Sequence, residues 1–314
     1  MINTDTSPSA DVSADSAGTW QLGDRTVNRI GLGAMRLCGD LSGNQPSDRK
    51  DSIAVLRRAV ELGVNHIDTA AFYFSPTRSA NELIGAALQP YPDELVITTK
   101  VGPSRSRDGA FEPMARPDEL RGQVEENIRQ LGLEQLDVVN LRWGNGMDKE
   151  TGPVAEHVGA LDELRGAGLI RHLGISNISA EQLTEALSIA PIVCVQNRYG
   201  LTERGDDDVL ELCRRHGIAF VPFFAVATSV PGALPTADAP DRTGEAQLAA
   251  IAESHRVAPA QLRLAWTLHR GPHVLAIPGT GNPAHVEENI AAGGIRLTDR
   301  ELATLDQLGS STDD

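Results

Sequence analysis

Basic charge is scarce in this 314-residue chain: Lys and Arg together number 28 against 43 Asp and Glu, for a net charge of −15. A nucleic-acid binder needs a basic face toward phosphates, so that class is excluded, as is electrostatic anchoring to a membrane. Lysine is scarcer still. Only three occur, Lys50, Lys100 and Lys149, which leaves 25 of the 28 basic side chains to arginine. Against that background each retained lysine is a candidate for a task a guanidinium cannot perform. No run of 18 apolar residues exists, so no membrane-spanning helix is expected. Cysteine is limited to Cys38, Cys194 and Cys213, an odd number without C-x-x-C spacing. Buried free thiols in a reducing cytosol are the expectation, and with it a cytoplasmic protein. His269 and His273 lack a third ligand, so no metal is expected there. No G-x-S-x-G elbow offers a serine nucleophile.

What the chain does contain is ordinary globular material, 40% apolar and 23% charged. Residues 1–18 and 310–314 are Ser- and Asp-rich and read as solvated tails, leaving one domain over 19–309. Within it, short β-branched runs alternate with amphipathic stretches. Eight strands are predicted: RIGLGAM near 29–35, VNHID at 64–68, ELVITTK at 94–100, LDVVNLR at 136–142, IRHLGIS at 170–176, IVCVQN at 192–197, IAFVPF at 218–223 and HVLAIPG at 273–279. Helices are predicted at 51–62, 80–89, 117–131, 152–168, 179–188, 206–217 and 245–255. Gly63, Gly132, Gly168 and Gly217 follow helices, where a left-handed residue is wanted, and Ser179 with Gln182 forms a capping-box pattern. Apolar strands buried on both faces, each followed by a helix, make a parallel sheet, and eight such units close an α/β sheet into a (β/α)8 barrel. The competing open sheet needs a nucleotide-binding glycine turn. Its candidate, Gly31-Leu32-Gly33-Ala34-Met35-Arg36, lacks the third glycine and the following helix. In a barrel, chemistry gathers where the strands end, and Asp68, Lys100, Arg142, Ser176 with Asn177, and Gln196 with Asn197 each close an apolar run. The stretch 225–244 reads as a long loop after a strand, either a clasp or lid over a ligand or a mobile surface loop.

Six blocks carry a family resemblance: GVNHIDTAAFY (63–73), NELIGAAL (81–88), ITTKVG (97–102), GISN (174–177), VQNRYGL (195–201) and IPGTGNPAHVEEN (277–289). In that order they resemble the aldo-keto reductases, (β/α)8-barrel oxidoreductases that move a hydride between a nicotinamide cofactor and a carbonyl or alcohol. The resemblance puts Asp68, Tyr73 and Lys100 at the family's catalytic positions. The chemistry agrees. Carbonyl reduction needs a proton donor for the developing alkoxide. A phenol, with a pKa of about 10, becomes a better one beside an ammonium that a carboxylate holds in place. Many relatives end the fourth strand on His; here LDVVNLR ends on Arg142, as in a bacterial subset. Arg142 is expected to orient the carbonyl and stabilise the alkoxide through its two parallel donors, favouring carbonyls flanked by a second oxygen, such as dicarbonyls or hydroxylated aromatic aldehydes like pyridoxal.

The resemblance also assigns cofactor contacts. Ser176, Asn177 and Gln196 would hold the nicotinamide carboxamide, and Phe220, in FVPF, would stack on the ring. Asn282 before Pro283 reads as a helix N-cap whose free N–H groups suit phosphate. Glu288 and Asn289 match adenine contacts. Gly279 and His285 stand where basic residues for a 2′-phosphate are frequent, while Thr280 keeps a hydroxyl. NADP(H) is the expected cofactor, with NAD(H) the alternative. The expected partner is a small-molecule carbonyl substrate. A non-catalytic, nicotinamide-binding regulatory subunit on the same barrel is the competing reading.

Overall fold

The computed structural model describes residues 12–39, 47–106, 109–146, 148–225 and 242–309. Strands β1 (Thr19–Leu22) and β2 (Arg25–Asn28) form an antiparallel hairpin. They are followed by β3 (Leu32–Gly33), β4 (His66–Asp68), the two-residue strands β5 (Phe74–Ser75) and β6 (Arg78–Ser79), β7 (Val96–Val101), β8 (Leu136–Arg142), β9 (Ile170–Ser176), β10 (Ile192–Gln196) and β11 (Ala219–Phe220). Among the described residues ten α-helices accompany them: α1 (Arg49–Glu61), α2 (Ala80–Leu88), α3 (Leu120–Leu131), α4 (Ala155–Gly166), α5 (Ala180–Leu187), α6 (Asp207–His216), α7 (Arg242–His255), α8 (Pro259–His269), α9 (Pro283–Ala291) and α10 (Asp299–Gly309).

Seven strands pair in parallel in the order β11-β10-β9-β8-β7-β4-β3. The predicted eighth, HVLAIPG, is not a continuous strand. It contributes two parallel bridges, Phe220 with Val274 and Ile30 with Ala276. Those bridges join the two edges of the sheet. Phe220 N donates to His273 O and Leu275 N to Phe220 O (2.9 Å each), while Ala276 N donates to Arg29 O and Gly31 N to Ala276 O (2.8 Å each). The sheet is thus closed, as expected of a barrel, and no hydrogen-bonding edge is left there.

Side chains alternate across this wall. Ile67, Ile97, Val139, Leu173, Val195, Phe220 and Val274 join the large apolar layer shared with the helices. Val96, Val138, Cys194, Ala219, Val221 and Leu275 form a second, smaller cluster inside the barrel, together with Leu22 and Val27 of the hairpin. The hairpin therefore plugs the barrel at one end. Its turn at Gly23 (φ +64°) and Asp24 is fastened to β9, because Asp24 binds His172 at 2.6 Å and Arg171 at 3.1 Å.

Gly63, Gly132, Gly168 and Gly217 all adopt positive φ after helices, and the Ser179–Gln182 capping box is present. Two helices, α8 and α10, escape the sequence reading. Helix α8 buries Leu262, Leu264, Ala265, Trp266, Thr267 and Leu268, so it lacks the polar face that betrays a surface helix. The N-terminal tail also ends earlier than expected. Residues 14–17 form a 3₁₀ turn with Ala14 and Ala17 buried, fixed by Ala14 N to Leu62 O (2.8 Å) and Arg296 Nη2 to Ser16 O (2.7 Å). Alanines and small hydroxyls suit that narrow seat as well as they suit solvent. Residues 226–241 of the predicted long loop, residues 1–11 and the terminal 310–314 lie outside the described residues. No helix among the described residues is long and apolar enough to cross a membrane.

Candidate active site

Of the polar strand ends predicted to share one mouth, Asp68, Lys100 and Gln196 meet directly and Arg142 pairs with Ser176 across β8 and β9, whereas Asn197 bonds the Ile178 backbone through both of its side-chain polar atoms. On β4 and β7, Asp68 and Lys100 both point inward, and Lys100 Nζ lies 2.5 Å from Asp68 Oδ1. The same ammonium donates to Thr69 O (3.0 Å), and Gln196 Nε2 from β10 donates to the other carboxylate oxygen (2.8 Å). Asp68 is 5% and Lys100 3% exposed, so neither charge is tolerable without the other. Burial alone would disfavour the Lys100 ammonium, but the Asp68 charge and the Tyr73 hydroxyl outweigh it and hold its pKa above the ordinary lysine value. Beneath the pair, Asn140 Oδ1 accepts from the Cys194 thiol (3.2 Å). Gly174 makes room for this contact, since a Cβ there would overlap Asn140 Oδ1.

Tyr73 reaches the pair from the loop between β4 and α2, with Lys100 Nζ 4.9 Å from its ring centroid. The loop is pinned at several points. Tyr73 N donates to Ala70 O (3.0 Å), Ala80 N donates to Tyr73 O (2.9 Å) and the Cys38 thiol donates to the same carbonyl (3.1 Å). Thr69 Oγ1 bonds Asn81 Oδ1 (2.8 Å), Asn81 Nδ2 bonds Asn127 Oδ1 (3.1 Å), and Thr99 Oγ1 bonds the same oxygen (2.6 Å). This buried network ties the loop to β7, α2 and α3. Sequence reading missed it, although the Asn of NELIGAAL was its visible signal.

The phenol departs from expectation. Desolvation raises its pKa, and the Lys100 ammonium, though it pulls the other way, does not offset this with Asp68 also near. The net direction is above the ordinary tyrosine value. Tyr73 therefore stays protonated through neutral pH, as a proton donor should. The sign for activity follows. Carbonyl reduction is expected to hold steady from about pH 6 to about pH 9 and to fail only in the phenolate range. Alcohol oxidation, which needs the phenolate as base, should climb with pH over the same span. Rate profiles in both directions check this, and a reductive limb that falls through neutrality would contradict it.

Arg142 closes the other side of the mouth. Among the described residues no acid pairs with it. Nη2 donates to Gly146 O (2.8 Å), the guanidinium lies 5.3 Å from the Phe223 ring centroid, and Nη1 is buried without a partner among the described residues. Burial pulls its pKa down to about 10, against the raising effect of Tyr73 and Glu150, so it remains a cation at neutral pH. Trp143, the next residue, packs under the following loop. Its ring meets His157 edge-on at 5.2 Å and Nε1 donates to Glu150 O (3.0 Å).

The expected cofactor residues divide. Ser176 is fully buried and its Oγ has no partner among the described residues, a polar atom awaiting a ligand. Asn177 sits beside it in a left-handed conformation (φ 62°), its Nδ2 donating to Trp143 O (3.1 Å) and Asp148 O (2.9 Å). Gln196 spends its Nε2 on Asp68, leaving Oε1 for an amide. Phe220 is a correction. It is 0% exposed, faces the helix layer and meets Tyr199 edge-on at 5.5 Å, because strand alternation turns it away from the lumen. Phe223, three residues on and half-buried, is the aromatic at the mouth. Its N donates to Asn197 O (2.9 Å), extending the ladder beyond β11. The signal was available: Val221 and Phe223 share the parity that points inward.

At the start of α9, Asn282 Oδ1 accepts from Ala284 N (3.1 Å), confirming the N-cap. Thr280 Oγ1 accepts from Asn282 N (3.0 Å), and His285 Nε2 lies 3.2 Å from Asn282 Nδ2. Gly279 is pressed against Gly33, where a Cβ would stand 2.9 Å from the Gly33 carbonyl oxygen. Glu288 is exposed on α9 and Asn289 half-buried. Cys38, Cys194 and Cys213 are free and buried.

The pattern of the Aldo/keto reductase family matches residues 29–310. A pyridoxine 4-dehydrogenase of Escherichia coli (strain K12) is 42% identical over 293 residues, covering 93% of this chain and 98% of that one. An NADH-specific methylglyoxal reductase of the same organism is 26% identical, covering 92% and 96%. A crystal structure of an aldo-keto reductase from Klebsiella pneumoniae in complex with NADPH has a TM-score of 0.74 at 28% identity, covering 92% and 94%. With its closed parallel sheet and this match over most of its length, the chain belongs to the aldo/keto reductase family and is an oxidoreductase.

Proposed function

We propose that this protein reduces a small carbonyl compound to its alcohol with NADP(H), Tyr73 donating the proton and Arg142 holding the carbonyl oxygen. The observation that carries the reading is convergence. A protonated phenol, a locked ammonium and a guanidinium donor face one mouth, beside the Ser176 hydroxyl, the last two without partners among the described residues. These residues fit a nicotinamide cofactor. Ser176 Oγ and Gln196 Oε1 would hold the carboxamide, Phe223 would lie against the ring, and the capped start of α9 with Thr280 would take phosphate. Glu288 and Asn289 would meet the adenine. The bound cofactor supplies the hydride.

The chain's own residues do the rest. Arg142 Nη1 donates to the carbonyl oxygen, which polarises it and limits its rotation. Tyr73 then gives up its hydroxyl proton to that oxygen as charge develops there. Lys100 stabilises the phenolate left behind, and Asp68 with Gln196 prevents the ammonium from moving away. Because Nη2 is already held by Gly146, Arg142 presents its donor in a fixed direction.

The substrate class we infer is an aldehyde or ketone flanked by a second oxygen, with hydroxylated aromatic aldehydes such as pyridoxal first. Support comes from the guanidinium in place of a neutral imidazole and from the 42% identical relative being a pyridoxine 4-dehydrogenase. NADP(H) is favoured by the NADPH held in the Klebsiella structure. The exposed start of α9 carries His285 but no Lys or Arg at 279 or 285, so the preference over NADH is expected to be modest. Oxidation of NADPH and of NADH across aromatic aldehydes, dicarbonyls, pyridoxal and quinones tests the reading. Arg142→Leu is expected to lower kcat/KM by about 10²-fold while leaving NADPH affinity intact. Full turnover in that variant would remove Arg142 from the mechanism. Cofactor binding without turnover on the whole panel would favour the non-catalytic reading.

A further inference from the structure

Of the three lysines, Lys149 has no part in the site described so far, yet it makes a long-range contact. We propose that the ion pair between Lys149 and Asp206 is a latch that fixes the loop after β8 and so aims Arg142 at the carbonyl. The proposal rests on the role of Arg142 given above. It makes Lys149 and Asp206 positioning residues.

The loop begins directly at Arg142. Its carbonyl at Gly146 holds Arg142 Nη2 (2.8 Å), so the position of the loop decides where Nη1 points. Inside the loop Glu150 acts as a brace. Its backbone oxygen accepts from Trp143 Nε1 and its Oε1 from Asn145 N (3.0 Å each). Gly144 (φ +75°) is needed there, since a Cβ would stand 2.8 Å from the Glu150 carboxylate. From β9 and α5, Asn177 Nδ2 holds Trp143 O and Asp148 O, and Gln182 Nε2 holds Glu150 O (3.0 Å) and Gly152 O (2.9 Å). These ties all come from the next βα unit. The pair of Lys149 with Asp206 reaches one unit further, to the start of α6.

Two features mark the pair as built rather than incidental. Asp206 occupies the N-cap position of α6, where an Asp carboxylate ordinarily accepts from the helix's first amides, yet it makes no such capping bond. Its carboxylate is turned to Lys149 instead. Asp206 is also buried, its side chain only 4% exposed, so without the ammonium a carboxylate would be left unpaired out of water. By contrast, pairs such as Arg129–Glu126 and Arg214–Glu211 join neighbours on exposed helix faces and tie nothing distant. A compact ammonium at 149 suits a single carboxylate oxygen, in a chain that elsewhere prefers the broad guanidinium fork.

The test uses Lys149→Met, Asp206→Asn and their combination, with carbonyl reduction kinetics and NADPH affinity by fluorescence titration. Lys149→Met is expected to lower kcat/KM about tenfold, chiefly through KM for the carbonyl, as a loosened orienting group should. NADPH affinity should change by less than about twofold, and the double variant should be no worse than either single one, because both remove one interaction. The isosteric Asp206→Asn guards against a general loss of fold. In an Arg142→Leu background, Lys149→Met should have no further effect. Wild-type efficiency in both single variants overturns the latch, and so does an undiminished loss on top of Arg142→Leu. Wild-type efficiency in Arg142→Leu itself would instead strike the underlying role of Arg142, a separate and recognisable failure.

Discussion

Tyr73→Phe is expected to lower kcat/KM for carbonyl reduction by about 10² to 10⁴, the range of a positioned general acid. The change removes one oxygen and leaves the ring, so the edge-on contact with Phe72 (5.2 Å) and the 4.9 Å approach of Lys100 to the ring persist. The loop around it is held by backbone bonds and the Thr69–Asn81–Asn127 network, none of which uses the hydroxyl. Fold and cofactor affinity should therefore be unchanged. Steady-state kinetics with parallel fluorescence titration of NADPH separate loss of chemistry from loss of binding. Equal losses in both would assign Tyr73 to cofactor binding.

Lys100→Met carries a double penalty. Removing the ammonium leaves the Asp68 carboxylate buried with Gln196 as its remaining hydrogen-bond donor, and frees Thr69 O. Breaking one partner of a buried ion pair costs about 3–5 kcal/mol, a large part of a typical domain's stability. Denaturant unfolding should show it as a lowered midpoint. Activity should fall at least as far as in Tyr73→Phe, since the phenolate loses its neighbour. Adding Asp68→Asn removes the orphaned charge. The double variant is expected to recover much of the stability and none of the activity. Recovery of activity would mean that the pair is structural and the proton comes from elsewhere.

Much of this was legible in the sequence because several signals are local. Gly132 and Gly217 mark helix ends since a left-handed residue is needed there, and Ser179 with Gln182 marks a start for an equally local reason. Strand ends were legible where a polar residue interrupts an apolar run, which located Asp68, Lys100, Arg142, Ser176 and Gln196. What stayed hidden depends on tertiary context. Helix α8 is apolar on most faces and shows no clear 3.6-residue contrast. The eighth strand is reduced to two bridges because Pro278, whose carbonyl accepts from Gly33 N (3.2 Å), has no N–H to donate back. The net direction of the Tyr73 pKa required knowing its desolvation, which no spacing reveals. Phe220 was misplaced for a simpler reason. The resemblance points to an aromatic in FVPF without fixing which face of the strand that aromatic occupies.

The most direct test of the account is a single-turnover experiment. Enzyme loaded with NADPH is mixed rapidly with pyridoxal, and the loss of bound-cofactor fluorescence is followed for the unaltered protein and for Tyr73→Phe. The account predicts rapid decay in the first and a decay slower by about 10²-fold or more in the second, from equally loaded enzyme. Identical decays in the two proteins would show that the phenol is not the proton donor.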